Sequence, residues 1–144
     1  MDTGVFDQGR YWAVDVAYAK ASATEVLAKI TIKNHASEAA TLSVLPTLWF
    51  RNTWRFTGAE APNLFLDGNG IAVDHSRLSG YRLDAATTAD GVRPLALFCD
   101  NETNNPRLYG AAPLTEFPKD GINDHVISGA KTVNPDERGT KACW

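Results

Sequence analysis

Trp12-Ala-Val-Asp-Val-Ala-Tyr-Ala19 and Val26-Leu-Ala-Lys-Ile-Thr-Ile-Lys33 are the stretches whose pattern decides the fold class. In the first, Trp12, Val14, Val16 and Tyr18 fall on one face, and Asp15 with Ala13, Ala17 and Ala19 on the other. A period of two is the period of a strand. In the second, Val26, Ala28, Ile30 and Ile32 oppose Lys29, Thr31 and Lys33, which predicts a half-solvated antiparallel strand ended by Asn34-His35. Ala21 to Thr24 supplies the turn between them. Leu42, Val44, Leu48 and Phe50 continue the alternation into a third strand. Leu45 and Trp49 are apolar on its other face, so its end is expected to be covered on both sides. Pro46 removes one ladder donor there and predicts a bulge or an edge position. Three meandering strands point to an all-β chain, an antiparallel β-sandwich with long loops and at most a short helix.

Outward from this core, Asp2 to Arg10 reads as a leading loop. Leu64 to Leu66 and Ile71 to Val73 flank Asp67-Gly68-Asn69-Gly70, whose positive-φ formers suit a tight hairpin turn. That tetrapeptide begins like a calcium loop but lacks the later carboxylates such a loop needs. Tyr81, Leu83 and Ala85 make a further short strand, and Leu95 to Cys99 an apolar, central one. From Asp100 to Asp124 the alternation breaks, with a helical turn near Pro106 and a turn-rich excursion from Phe117 to Asp124. A long loop in a compact domain is usually functional or an interface. His125 to Ile127 reads as a return to strand, and Thr140 to Trp144 as a strand that has barely begun.

A chain of 144 residues is the size of one domain, residues 1–144, long enough to bury roughly 70% of its unfolded surface. Its 44% hydrophobic and 10% aromatic content argues against disorder. A net charge of -3, with no basic stripe, argues against a nucleic-acid or anionic-membrane partner. The opening residues carry no secretory signal, and no segment approaches membrane-spanning length. The two cysteines, Cys99 and Cys143, are far apart in sequence, so two free thiols in a reducing cytoplasm are expected.

The chemistry-bearing residues cluster in two places. Thr47-Leu-Trp-Phe-Arg-Asn-Thr-Trp54 sets Trp49, Phe50 and Trp54 beside Arg51 and Asn52. Such a group is either the plug that closes one end of a sandwich or a surface for a sugar ring or another domain. The long loop adds Glu102, Asn104, Tyr109, Asp120 and Asp124. Glycosidic cleavage needs two carboxyl groups facing each other across the bond. Asp100, Glu102, Glu116, Asp120 and Asp124 are candidates, but Asp and Asn in loops serve turns more often, and no spacing singles out an acid and a base. His35, His75 and His125 are isolated, so no metal site or cofactor is expected. No Gly-x-Ser-x-Gly elbow and no phosphate-cradling glycine loop is present.

Taken together, Asp-Thr-Gly-Val-Phe-Asp (2–7), residues 47–54, Asn-Glu-Thr-Asn (101–104), Lys-Asp-Gly-Ile-Asn-Asp (119–124), Val-Asn-Pro (133–135) and Gly-Thr-Lys-Ala (139–142) resemble one known region. It is the amino-terminal region of bacterial proteins similar to glycoside hydrolase family 63, the mannosyl-oligosaccharide glucosidase and mannosylglycerate-hydrolase-like group. The resemblance implies a β-supersandwich that, in the family, packs against a catalytic barrel of α-helices. The family's catalytic carboxylates lie in that barrel, so no residue here inherits them. In the family, sequence precedes residues 2–7 and continues beyond residues 139–142, so the resemblance implies a part of such a domain, without catalysis of its own. Two readings follow for Trp49, Arg51, Asn52, Trp54, Glu102, Asn104, Tyr109, Asp120 and Asp124. They form a surface for association with a second copy or with a separate catalytic domain, or a stand-alone carbohydrate-binding site for an oligosaccharide. A third, an enzyme using Glu102 with Asp120 or Asp124, has the least support.

Overall fold

The computed structural model describes residues 4, 6–87 and 91–144. Residues 2, 3 and 5 of the Asp-Thr-Gly-Val-Phe-Asp stretch lie outside the described residues. By backbone contacts the chain forms two compact units, Met1–Leu42 and Ser43–Trp144. Among the described residues the architecture is all-β, with antiparallel sheets and three short helices.

The first unit is a two-stranded ribbon, preceded by a single 3-10 turn at Asp7–Gly9. Strand β1, Trp12–Lys20, pairs with β2, Val26–Asn34, in a register running from Trp12↔Asn34 to Lys20↔Val26. Residues directly opposite share a face, so Val14, Val16 and Tyr18 lie against Ile32, Ile30 and Ala28, while at the two ends Trp12 meets Asn34 and Lys20 meets Val26. The alternation thus builds one face that is apolar between Asn34 at one end and Lys20 at the other, and most of it is exposed.

Among the described residues, the second unit holds two sheets and the three helices. Strands β3 (Thr47–Trp49), β7 (Leu97–Cys99) and β9 (Lys141–Cys143) form a sheet in the order β3-β9-β7. Strands β4 (Asn63–Asp67), β5 (Gly70–Asp74), β6 (Arg82–Asp84) and β8 (Arg138–Gly139) form another, in the order β6-β5-β4-β8. The β4–β5 hairpin closes through a two-residue loop whose first residue, Gly68, takes φ 59, as in type II′ turns.

Leu64, Ile71 and Val73 from the four-stranded sheet meet Phe98 and Ala142 from the three-stranded one, with Trp144 just beyond β9, in a single core cluster. Successive residues of a strand point to opposite faces, so the other face of the smaller sheet presents Cys99 and Cys143. There they pack with Ile122 and, partly buried, Val126 of helix α3, Gly121–Ser128. The layering is therefore sheet, sheet, helix. Burial pushes the Cys99 thiol up to about 12 and also raises that of Cys143.

Several expectations are corrected. Leu42 to Phe50 is not one long strand. Only Thr47–Trp49 is strand, and it pairs with β9, not β2. Pro46 offers no N–H to extend the ladder, although its carbonyl accepts from Trp144 N at 3.2 Å. Leu45 and Trp49 are exposed, not covered. The segment Leu95 to Cys99 contributes only β7, at a sheet edge, and the central strand is β9, formed by the residues that looked like a strand barely begun. His125 to Ile127 lies inside α3 and is not strand. The i, i+4 pair Ile122 and Val126 faces the core while Ile127 is exposed, which is helical period.

Candidate functional site

Phe50 packs against the main core, and the chain beyond it turns into the short helix α1, Trp54–Thr57. Gly58, left-handed at φ 68, ends that helix by donating to Trp54 O at 3.0 Å. Two asparagines tie this turn to the loop after β7. Asn52 Nδ2 donates to Asn101 O and Asn101 Nδ2 to Phe50 O, both at 2.8 Å. Asn101 N in turn donates to Thr140 Oγ1 at 2.7 Å, which anchors the junction to the strand β9 follows.

This junction carries Glu102 beneath α1. Glu102 is 7% exposed, the one buried charged residue among those described. Its Oε1 accepts from Arg55 Nε at 2.8 Å and Trp54 Nε1 at 3.2 Å. A buried carboxylate is tolerable only with such charged and hydrogen-bonding partners. Arg55 also reaches Leu114 O at 3.5 Å, and Lys119 N donates to Glu102 O at 3.0 Å. The carboxylate is thereby committed to a fixed floor.

Above the floor lies an open cleft of about 520 Å³, lined among others by Trp49, Asn52, Phe56, Glu102 and Tyr109. Its aromatic rim is uncovered, with Trp49 57%, Phe56 91% and Tyr109 73% exposed. Asn52 Oδ1 is buried without a hydrogen-bond partner in the same wall.

Beside the cleft, helix α2, Asn105–Tyr109, is capped by Asn104, whose Oδ1 accepts from Arg107 N at 3.2 Å. Asn104 Nδ2 reaches Asp120 at 3.0 Å, and Arg107 Nη1 bridges Asp120 at 3.0 Å and Asp124 at 2.9 Å. The two carboxylates raise the Arg107 pKa, Asp124 most strongly. This latch joins α2 to α3 and so positions Tyr109 at the rim.

The structure therefore brings Trp49, Asn52, Glu102 and Tyr109 into one cleft and gives the other candidates separate duties. Trp54 is half-buried and bonded to Glu102, so its ring edge belongs to the support and not to the rim. Asn104, Asp120 and Asp124 belong to the latch. Arg51 is exposed and outside the lining, whereas Arg55, four residues on, lies in it and reaches the Leu114 carbonyl. Arg55, Phe56 and Arg107 are the residues that sequence reading missed. A short helix after Asn52 would have put the first two beside Trp54, but four residues leave no periodic signal.

Each histidine has its own neighbours. His35 stacks on Tyr11 at 4.6 Å, His75 stacks on Phe50 at 4.7 Å, and His125 Nδ1 meets Ala130 O at 2.8 Å. Among the described residues, no group of three or more His, Cys, Asp or Glu is placed to hold a metal ion, and no helix is long and apolar enough to cross a membrane.

No protein-family model and no solved structure matches the chain. Among curated proteins, it is 29% identical over 145 residues to the uncharacterized protein YMR196W of Saccharomyces cerevisiae. That alignment covers 83% of this chain and 13% of the yeast protein, so the chain spans about an eighth of that relative's length.

Proposed function

We propose that this chain is a non-catalytic β-sandwich unit of the glycoside hydrolase family 63-like kind, acting in domain or subunit association through its Glu102-centred face. The observation that carries the reading is the pairing of a fixed polar floor with an uncovered aromatic rim. Glu102 is buried and held by Trp54 and Arg55, while Trp49, Phe56 and Tyr109 stand exposed around it. Aromatic residues and arginine around a desolvated centre are the composition of an interface hot spot. The long yeast relative, of which the match is a small part, supports a setting in which this unit meets further polypeptide.

The test is calorimetric titration of the purified chain with a polypeptide comprising the yeast relative beyond its matched segment. Binding that weakens at least tenfold in Phe56→Ala and Tyr109→Ala, about 1.4 kcal/mol or more, supports the reading. Absence of binding to the intact chain contradicts it.

A second reading, an oligosaccharide site, is favoured by the open cleft and by Tyr109 and Trp49 at its rim, since flat aromatic faces stack on sugar rings. Saturable binding of gluco- or manno-oligosaccharides that is lost in Trp49→Ala would select it over association.

A further inference from the structure

The β1–β2 ribbon is a separate matter from the cleft. Among the described residues its sheet has two strands, and a two-stranded ribbon is marginally stable in water. Strand β1 is one of its edges, nine residues long, without proline or glycine, and charged only at Asp15 and the terminal Lys20. Edges are normally blunted by lysines, prolines or bulges. The outer strand β2 carries Lys29 and Lys33 within its length, but β1 has no such guard before its last residue.

The hydrogen-bond phase of this edge can be read from its ends. His35 N donates to Tyr11 O at 2.9 Å and Ala21 N to Glu25 O at 3.0 Å, both continuing the register of the pair. Bonded and non-bonded pairs alternate along an antiparallel ladder. The odd-numbered residues of β1 therefore face β2, and Trp12, Val14, Val16, Tyr18 and Lys20 direct their N–H and C=O groups to the open side.

We propose that β1 pairs antiparallel with β1 of a second copy about a twofold axis at Val16, joining two ribbons into one four-stranded sheet. This register sets Val16 against Val16, Val14 against Tyr18 and Trp12 against Lys20 of the second copy. Every outward-directed backbone group of one strand then meets its complement on the other. On the polar face Asp15 falls opposite Ala17 of the second copy, whereas an axis one residue earlier would set the two Asp15 carboxylates face to face. On the apolar face the two hydrophobic stripes become continuous. The sheet passes from two strands to four, beyond the count at which a sheet with a hydrophobic face holds independently. The inference goes beyond the association reading of the cleft: its partner is a second copy, and its contact is made by a strand of the first unit, whereas the cleft residues belong to the second.

The test combines sedimentation velocity of the full chain with site-specific cross-linking. A concentration-dependent dimer of the 15.6 kDa chain is expected. Val16→Lys, which opposes two ammonium groups at the axis, should shift it to monomer without changing the affinity of the cleft for the yeast polypeptide. Val16→Cys should form an intermolecular disulfide under mild oxidation, because directly paired Cα atoms lie about 5.5 Å apart, within disulfide reach. Tyr18→Cys should not, because the two copies of that position are offset by four residues, about 14 Å. A chain that stays monomeric at all concentrations overturns the inference. So does a dimer that persists in Val16→Lys or cross-links equally through both positions, and either result leaves the reading of the cleft to stand or fall by its own titration.

Discussion

Glu102 and Cys99 show how far single residues can be read. Glu102 stood in a polar loop stretch, Asn-Glu-Thr-Asn, that gave no sign of burial, because burial here comes from Trp54 and Arg55, 48 and 47 residues away in sequence. Removing the carboxylate leaves two donors without their acceptor. Glu102→Ala should therefore lower stability by about 1–3 kcal/mol, and Glu102→Gln by less, since an amide oxygen can still accept from Trp54. Arg55 is itself 44% exposed, so solvent takes back part of the ion pair and the lower half of that range is expected. Urea unfolding midpoints measure both. Cys99 is a free thiol, as expected, and a buried one. Its raised folded-state pKa means that the unfolded chain releases this proton first on alkalinisation. The stability tied to the neutral thiol is complete below about pH 9 and falls as pH rises toward 12. The slope is about 1.4 kcal/mol per pH unit. Melting temperatures from pH 7 to pH 10.5 should decline less steeply in Cys99→Ala than in the parent chain.

At the scale of elements, legibility followed length and period. The strands β1 and β2 were read nearly to the residue because nine alternating positions each leave a clear period of two. The β4–β5 hairpin was read from its glycine turn. Strand β9 was not recognised as central, because three residues carry no period and its place depends on pairing with β3 and β7 from distant sequence. The stretch that forms helix α3 reads as turn and strand because Val126 and Ile127 are β-branched and apolar. The burial of Ile122 with Val126 decided otherwise. Two glycines hold these elements at close range. A Cβ on Gly121 would strike the Thr132 carbonyl, and one on Gly139 the Cys99 carbonyl, and backbone cannot move aside as a side chain can. Gly121→Ala and Gly139→Ala should each cost about 1–3 kcal/mol in thermal or denaturant unfolding. Gly121→Ala should also loosen α3 and with it the latch through Arg107. That would appear as faster amide exchange in α2.

For the whole molecule, the all-β class was legible from alternation, and the sandwich of two sheets in the second unit bears it out. The candidate site was legible only in outline. Trp49, Asn52, Glu102 and Tyr109 do share a cleft, but the division into floor, rim and latch depends on contacts between residues up to 59 positions apart. The central claim is that this cleft face serves association. It is tested most directly by following tryptophan emission while titrating, in parallel, the yeast polypeptide beyond the matched segment and a panel of gluco- and manno-oligosaccharides. Trp49 at the rim and Trp54 at the floor report on either ligand. The account predicts a saturable change with the polypeptide, diminished in Phe56→Ala, and none with the sugars. Saturation by a sugar that disappears in Trp49→Ala, with no response to the polypeptide, would contradict it.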